Sequence, residues 1–170
     1  MSEAEDFEVA KHVISCLHST PLAVLSTKDN KSVWGMPVYF IHDNDFNFYA
    51  ITNSRSRPAN DIKNNPDVCL SIVMPPDSSN GFEVGIQIAG RASKISGKDI
   101  VEIYAQKMKR SAMDREGFIG PREAEILGNE GGIFIKIVPK LIMYLDRRYH
   151  GPQSKKVSIK RLAQLSKYIR

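Results

Sequence analysis

The sequence predicts a mainly β domain of the α+β class, an antiparallel sheet that closes as a barrel or sandwich with helices at its flanks. Three observations carry this. Short runs rich in β-branched and aromatic residues alternate with turn-forming residues, as hairpins require. Helical periodicity occurs only between groups of strands. Strands and helices never follow the β-α-β order of a parallel sheet, which excludes a Rossmann fold. A chain of 170 residues suits one domain. At that size roughly 70% of the unfolded surface is buried, so no disulfide or metal staple is needed.

Residues 4–18 have an amphipathic pattern, with Phe7, Ala10, Ile14 and Leu17 at helical spacing and Glu3, Glu5 and Asp6 near the positive end of the dipole. Pro21 stops this helix, because proline disfavours helix at the residue before it. Residues 22–27 form a first strand, 28–31 a turn, 32–41 a second strand, 42–45 a turn and 46–52 a third. Pro58, preceded by Ser54 and Ser56 and followed by Asn65-Pro66, marks a helix of about two turns. Residues 68–74 and 82–95 return to strand, with a loop at 75–81. Gly85 and Gly90 inside the long strand suggest a bulge or close backbone approach. Ile100, Val101, Tyr104 and Met108 predict a helix at 98–112, and 113–130 read as irregular with a short helix at 121–127. The last strands are 131–138 and 141–145, bent at Pro139. A linker at 151–154 leads to a basic amphipathic helix at about 155–169, which divides the chain into a domain at 1–150 and a C-terminal helix at 151–170.

Apolar residues make up 42% of the chain and charged residues 25%, which excludes wholesale disorder. Cys16 and Cys69 stand alone in apolar segments, so they form no disulfide framework and no Cys-x-x-Cys pair; both read as buried thiols of a reducing compartment. The N-terminus is acidic where a signal peptide would be basic, and no apolar run approaches a membrane span of about 18 residues. A soluble, cytoplasmic protein is therefore expected. The net charge of +5 is unevenly spread: residues 136–170 hold ten of the 24 Lys and Arg and one acid, Asp146, whereas residues 1–135 are net acidic. The basic character belongs to the tail, where it could serve nucleic acid or another anionic surface; such a partner is not favoured.

No phosphate-binding P-loop, nucleophile elbow or His-Glu-x-x-His occurs. His12 and His18 are too far apart around a helix to share a metal. His42, Asp43 and Asp45 fall in a turn, where such residues serve the backbone. Hydrolase and metalloenzyme chemistry thus find no support, and no metal is expected. One segment departs from what a core needs. Thr52, Asn53, Ser54, Arg55, Ser56 and Arg57 follow an apolar strand and enter a helix near Pro58. Hydroxyls and guanidiniums coincide there with a helix N-terminus and its unpaired amides, the composition of a phosphate cradle. The same residues also suit a plain Ser56 cap with solvated arginines.

Around this segment the chain resembles the pyridoxamine 5′-phosphate oxidase-like, FMN-binding split β-barrels. The resemblance rests on Pro21-Leu-Ala-Val-Leu-Ser-Thr27, Met36-Pro-Val-Tyr-Phe40, Thr52-Asn-Ser-Arg-Ser-Arg57, Asn60-Asp-Ile-Lys-Asn-Asn-Pro-Asp-Val-Cys-Leu70 and Ile88-Ala-Gly-Arg-Ala-Ser-Lys-Ile95. It closes on Phe134-Ile-Lys-Ile-Val-Pro139 and Ile142-Met-Tyr-Leu145, and covers residues 5–146 in family order. It implies an antiparallel split β-barrel with flanking helices. It also implies a homodimer with FMN at the subunit interface and an oxidoreductase acting on a small-molecule substrate. A non-catalytic flavin, deazaflavin or haem-binding carrier or sensor is the alternative. By the resemblance Thr52, Ser56 and Arg57 hold the FMN phosphate beside Asn53, Pro37, Val38 and Tyr39 line the ribityl chain and ring, and Tyr144 lies near the flavin. Pro58 replaces the phosphate-binding lysine that follows Ser-Arg in the family, leaving Arg55 as the nearby substitute, and Gly85 stands where the oxidases have a glutamine. Arg148-Tyr149-His150 has the spacing of the oxidases' substrate-handling Arg-x-His, but it sits about two residues too close to the last strand. In the tail, Ile159, Leu162, Leu165 and Ile169 share one face. A helix this short needs a surface to cover, and the net-acidic body favours docking on the dimer.

Overall fold

A computed structural model describes residues 3–74, 84–95 and 132–167 of the chain; the loop at 75–81 and the helices expected at 98–112 and 121–127 lie outside the described residues. Helix α1 (Glu3–Ser19) leads into strands β1 (Leu22–Lys28), β2 (Val33–His42) and β3 (Phe48–Asn53). Helix α2 (Arg57–Asn64) is followed by β4 (Asp67–Val73), β5 (Val84–Ile95) and β6 (Gly132–Asp146). The chain then adds a short helix α3 (Arg147–His150), β7 (Lys155–Val157) and α4 (Ile159–Leu165).

All pairings are antiparallel, in the order β3-β2-β1-β4-β5-β6-β7, and β3 also pairs with β6. Strands β1 to β6 therefore close a barrel, with β7 on the side of β6, and the split β-barrel expected from the sequence is the fold. Alternation along β1 buries Ala23, Leu25 and Thr27 and leaves Leu22 and Val24 outside. Phe40, Phe48, Leu70, Ile72, Ile86, Ile88 and Ile137 fill the interior beneath Val9, Val13 and Ile14 of α1.

Details differ from the sequence reading where long-range geometry decides. Phe46 belongs to the β2–β3 turn, with φ of 60°, a left-handed conformation that tight turns use. Asp43 organises that turn: its Oδ1 accepts from the Asp45 and Asn47 amides and its Oδ2 from the Tyr49 hydroxyl, at 2.8–2.9 Å. The two last strands are one, β6, which runs through Pro139. The register slips between Ala89 and Gly90, and Gly90 faces Pro139, which has no amide to donate. A Cβ at Gly90 would sit 2.5 Å from the Val138 carbonyl oxygen, so the barrel closes here only over glycine. Cys16 and Cys69 are free but half-buried rather than buried, Cys69 because it stands opposite Ser26 on the outer side of the sheet.

The tail begins as strand rather than helix. Val157 pairs with Ile142 and Lys155 with Tyr144, and α4 then packs on α1 with Leu162 and Leu165 buried. Ion pairs Lys155–Glu5 (3.5 Å) and Arg161–Asp6 (3.6 Å) join the basic tail to the acidic start of α1. Among the described residues no helix is long and apolar enough to cross a membrane.

Candidate functional site

The β3–α2 corner is built by local backbone demands. Asn53 Oδ1 accepts from the Arg55 amide at 2.8 Å, and the Asn53 carbonyl accepts from the Ser56 amide at 3.0 Å. This Asx turn folds the chain back after β3. Ser56 takes extended φ and ψ as the N-cap, and its Oγ accepts from the Ala59 amide at 3.3 Å. Pro58 suits the first turn because the amide it lacks has no helical partner there. The Thr52 and Ser56 hydroxyls lie 2.9 Å apart, so one donates to the other. Ser56 is therefore the helix cap and, through the same oxygen, the partner of Thr52.

Arg57, at the first helical position, is held from three sides. Its guanidinium lies 5.0 Å above the ring of Trp34 and donates to Ser32 Oγ. Asp29 Oδ2 and Asp61 Oδ2 each lie 3.7 Å from it. Asp61 is buried and also accepts from the Thr27 hydroxyl at 2.7 Å. Its spacing from Arg57, one helical turn, is legible in sequence; Asp29 comes from the distant β1–β2 turn and is not. Arg55 is exposed beside the corner.

Across from this corner, β2 and β3 diverge. They pair only at Phe40–Ala50, Ile41–Tyr49 and His42–Phe48. Among the described residues, Val33–Val38 find sheet partners on β1 alone. The other edge of that stretch is open on the side of the corner, where the Thr52 hydroxyl donates to Met36 Sδ at 4.0 Å. Main-chain groups on an unpaired strand edge are available to a ligand. Pro37 is exposed and Tyr39 half-buried, whereas the Val38 side chain enters the core.

Tyr144 is not brought to this corner. It lies far along β6 from the Thr52–Ile133 pair, opposite Ile86, and is fully buried. Its hydroxyl donates to Asp146 Oδ2 at 2.8 Å, and burial together with this bond pushes its pKa far above the usual value. Arg148 forks onto the same carboxylate, Nε to Oδ1 at 2.9 Å and Nη2 to Oδ2 at 2.7 Å. Tyr149 stacks on His12 at 4.8 Å between ring centroids, and His150 meets Tyr144 edge-on. The Arg148-Tyr149-His150 triplet therefore ties α3 to α1 and the end of β6. Gly85 sits opposite Val73, and a Cβ there would lie 3.2 Å from the Ile72 carbonyl oxygen; the exposed Gln87 stands two residues on. Among the described residues no three His, Cys, Asp or Glu side chains could hold a metal ion.

The family model for pyridoxamine 5′-phosphate oxidase matches residues 9–130. No curated protein matches the sequence. Among solved structures, a putative pyridoxamine 5′-phosphate oxidase from Listeria innocua is 21% identical with a TM-score of 0.57, covering 81% of this chain and 98% of that one. General stress protein 26 from Bacillus anthracis is 22% identical with a TM-score of 0.61, covering 88% and 99%. A heme binding protein from Mycobacterium smegmatis is 12% identical with a TM-score of 0.63, covering 94% and 60%. At these identities the structures show the shared fold.

Proposed function

Because the chain belongs to the pyridoxamine 5′-phosphate oxidase family, we propose that it is an FMN-binding oxidoreductase acting on a small molecule. The observation that carries this reading is the Thr52–Arg57 corner facing the open edge of β2. Its donor set fits a phosphomonoester: two linked hydroxyls, the first-turn amide of Arg57, and the guanidiniums of Arg57 and Arg55. Thr52, Ser56 and Arg57 would hold the phosphate, with Arg55 supplying charge where the family's lysine is Pro58 and Asn53 fixing the turn. Pro37, the Val38 main chain and Tyr39 would face the rest of the cofactor. A bound flavin supplies the hydride or electron-pair chemistry, and the protein supplies binding, orientation and exclusion of water.

The same reading includes a homodimer with the cofactor at the subunit interface. Supporting it, Leu22 and Val24 are 42% and 39% exposed on the outer side of β1, in register with Tyr39 and Pro37 of β2. Apolar side chains left on the outside of a strand are available to a second chain, and here they adjoin the part of β2 whose other edge is open. A haem carrier is less well supported, since no histidine lies at this corner to ligate iron: His12, His18 and His150 belong to α1 and α3, and His42 to the end of β2 away from Trp34.

Arg57→Ala should weaken FMN binding by about 1.5–3 kcal/mol, the worth of hydrogen bonds to a charged group, in a titration followed by flavin fluorescence. Unchanged affinity in a folded variant would remove Arg57 from the phosphate site.

A further inference from the structure

Asp29 performs two tasks with two oxygens. Its Oδ1 accepts from the amides of Lys31 and Ser32 at 2.8 and 2.7 Å, which shapes the β1–β2 turn. Asparagine would serve that turn equally well. The second oxygen, Oδ2, is the one near Arg57, so the charge of the side chain acts on the guanidinium as well as on the turn. Bonds from the Lys31 and Ser32 amides, and then the Arg57 charge, hold the Asp29 carboxyl below its usual range and keep it ionised. With Asp61 on the other side, two carboxylates face one guanidinium. Asp61 is buried and engaged by Thr27. Asp29 is a partly exposed anion at the place where a ligand's phosphate would compete for Arg57.

We propose that Asp29 tunes the anion corner, its carboxylate beside Arg57 holding down the affinity for doubly charged phosphate. The inference rests on the anion-binding reading of the Thr52–Arg57 corner. Removing the charge while keeping the turn should therefore tighten binding, the opposite of what loss of a structural contact does.

The test compares wild type with Asp29→Asn, using FMN and, separately, inorganic phosphate as probes. Trp34 is the only tryptophan of the chain, and the Arg57 guanidinium lies over its ring, so tryptophan fluorescence reports phosphate binding without a flavin. The expected result is about two- to fivefold tighter binding of both probes at low salt, the size of an exposed charge contact. The difference should vanish near 1 M salt, where the screening length falls to about 3 Å. Unchanged or weaker binding by a folded variant overturns the proposal while leaving the FMN reading intact. Tighter phosphate binding with no FMN binding by either protein does the reverse. Binding of neither probe by either protein overturns both. Should Asp29→Asn fail to fold, Asp29→Ser keeps a turn acceptor without the charge and is read by the same criteria.

Discussion

Asp146→Ala should cost about 3 kcal/mol of folding stability, measured by denaturant or thermal unfolding. Asp146 is fully buried and accepts four hydrogen bonds, from the Tyr144 hydroxyl and from the amide, Nε and Nη2 of Arg148. Removing one partner of a buried pair leaves the others uncompensated and commonly costs about 3–5 kcal/mol. The lower end applies because Arg148 is 34% exposed and water can reach it. The contribution is pH-dependent. Burial alone would raise the Asp146 pKa, but the bonds from Arg148 and Tyr144 outweigh it and bring the carboxyl below its usual range. A depressed folded pKa means stability that is complete above the unfolded carboxylate value and lost as pH falls through the folded one. Wild type should thus lose stability in acid more steeply than the variant. A variant as stable as wild type would mean that the Tyr144–Asp146–Arg148 group does not anchor α3.

Leu162→Ala should cost about 2–5 kcal/mol, the range for emptying a core leucine site. Leu162 is fully buried where α4 meets α1, beside Leu165 and Val157. The acid–base contacts flanking it, Lys155–Glu5 and Arg161–Asp6, are partly exposed and contribute little, so apolar burial dominates the docking. An unfolding midpoint equal to that of wild type would instead describe a tail that leaves the barrel readily and works as an arm.

The same contrast explains what was legible in the sequence. Local rules placed α1, the hairpins and the Ser56 cap, because Pro21, the turn residues and Pro58 act over a few positions. The apolar stripe of the tail was legible too, but its first residues gave no sign of strand. Lys155–Val157 is extended only because the edge of β6 is available to pair with it. The continuity of β6 through Pro139 was hidden for a similar reason: the residue that accommodates it, Gly90, is distant in sequence. At the site, the composition of residues 52–57 marked the segment, and the family resemblance singled out Thr52, Ser56 and Arg57. That Asp29 and Trp34 join them depends on the β1–β2 turn reaching α2, and that Tyr144 does not depends on where β6 carries it.

The central claim is that the Thr52–Arg57 corner binds the phosphate of a flavin. Its most direct test is a titration of the full chain with FMN and with riboflavin, which differ only by that phosphate, followed by the visible spectrum and flavin fluorescence. The account predicts a bound flavin spectrum with FMN and affinity at least about tenfold weaker for riboflavin, roughly one charge-assisted contact. Equal affinity for the two, or no binding of FMN, would contradict it.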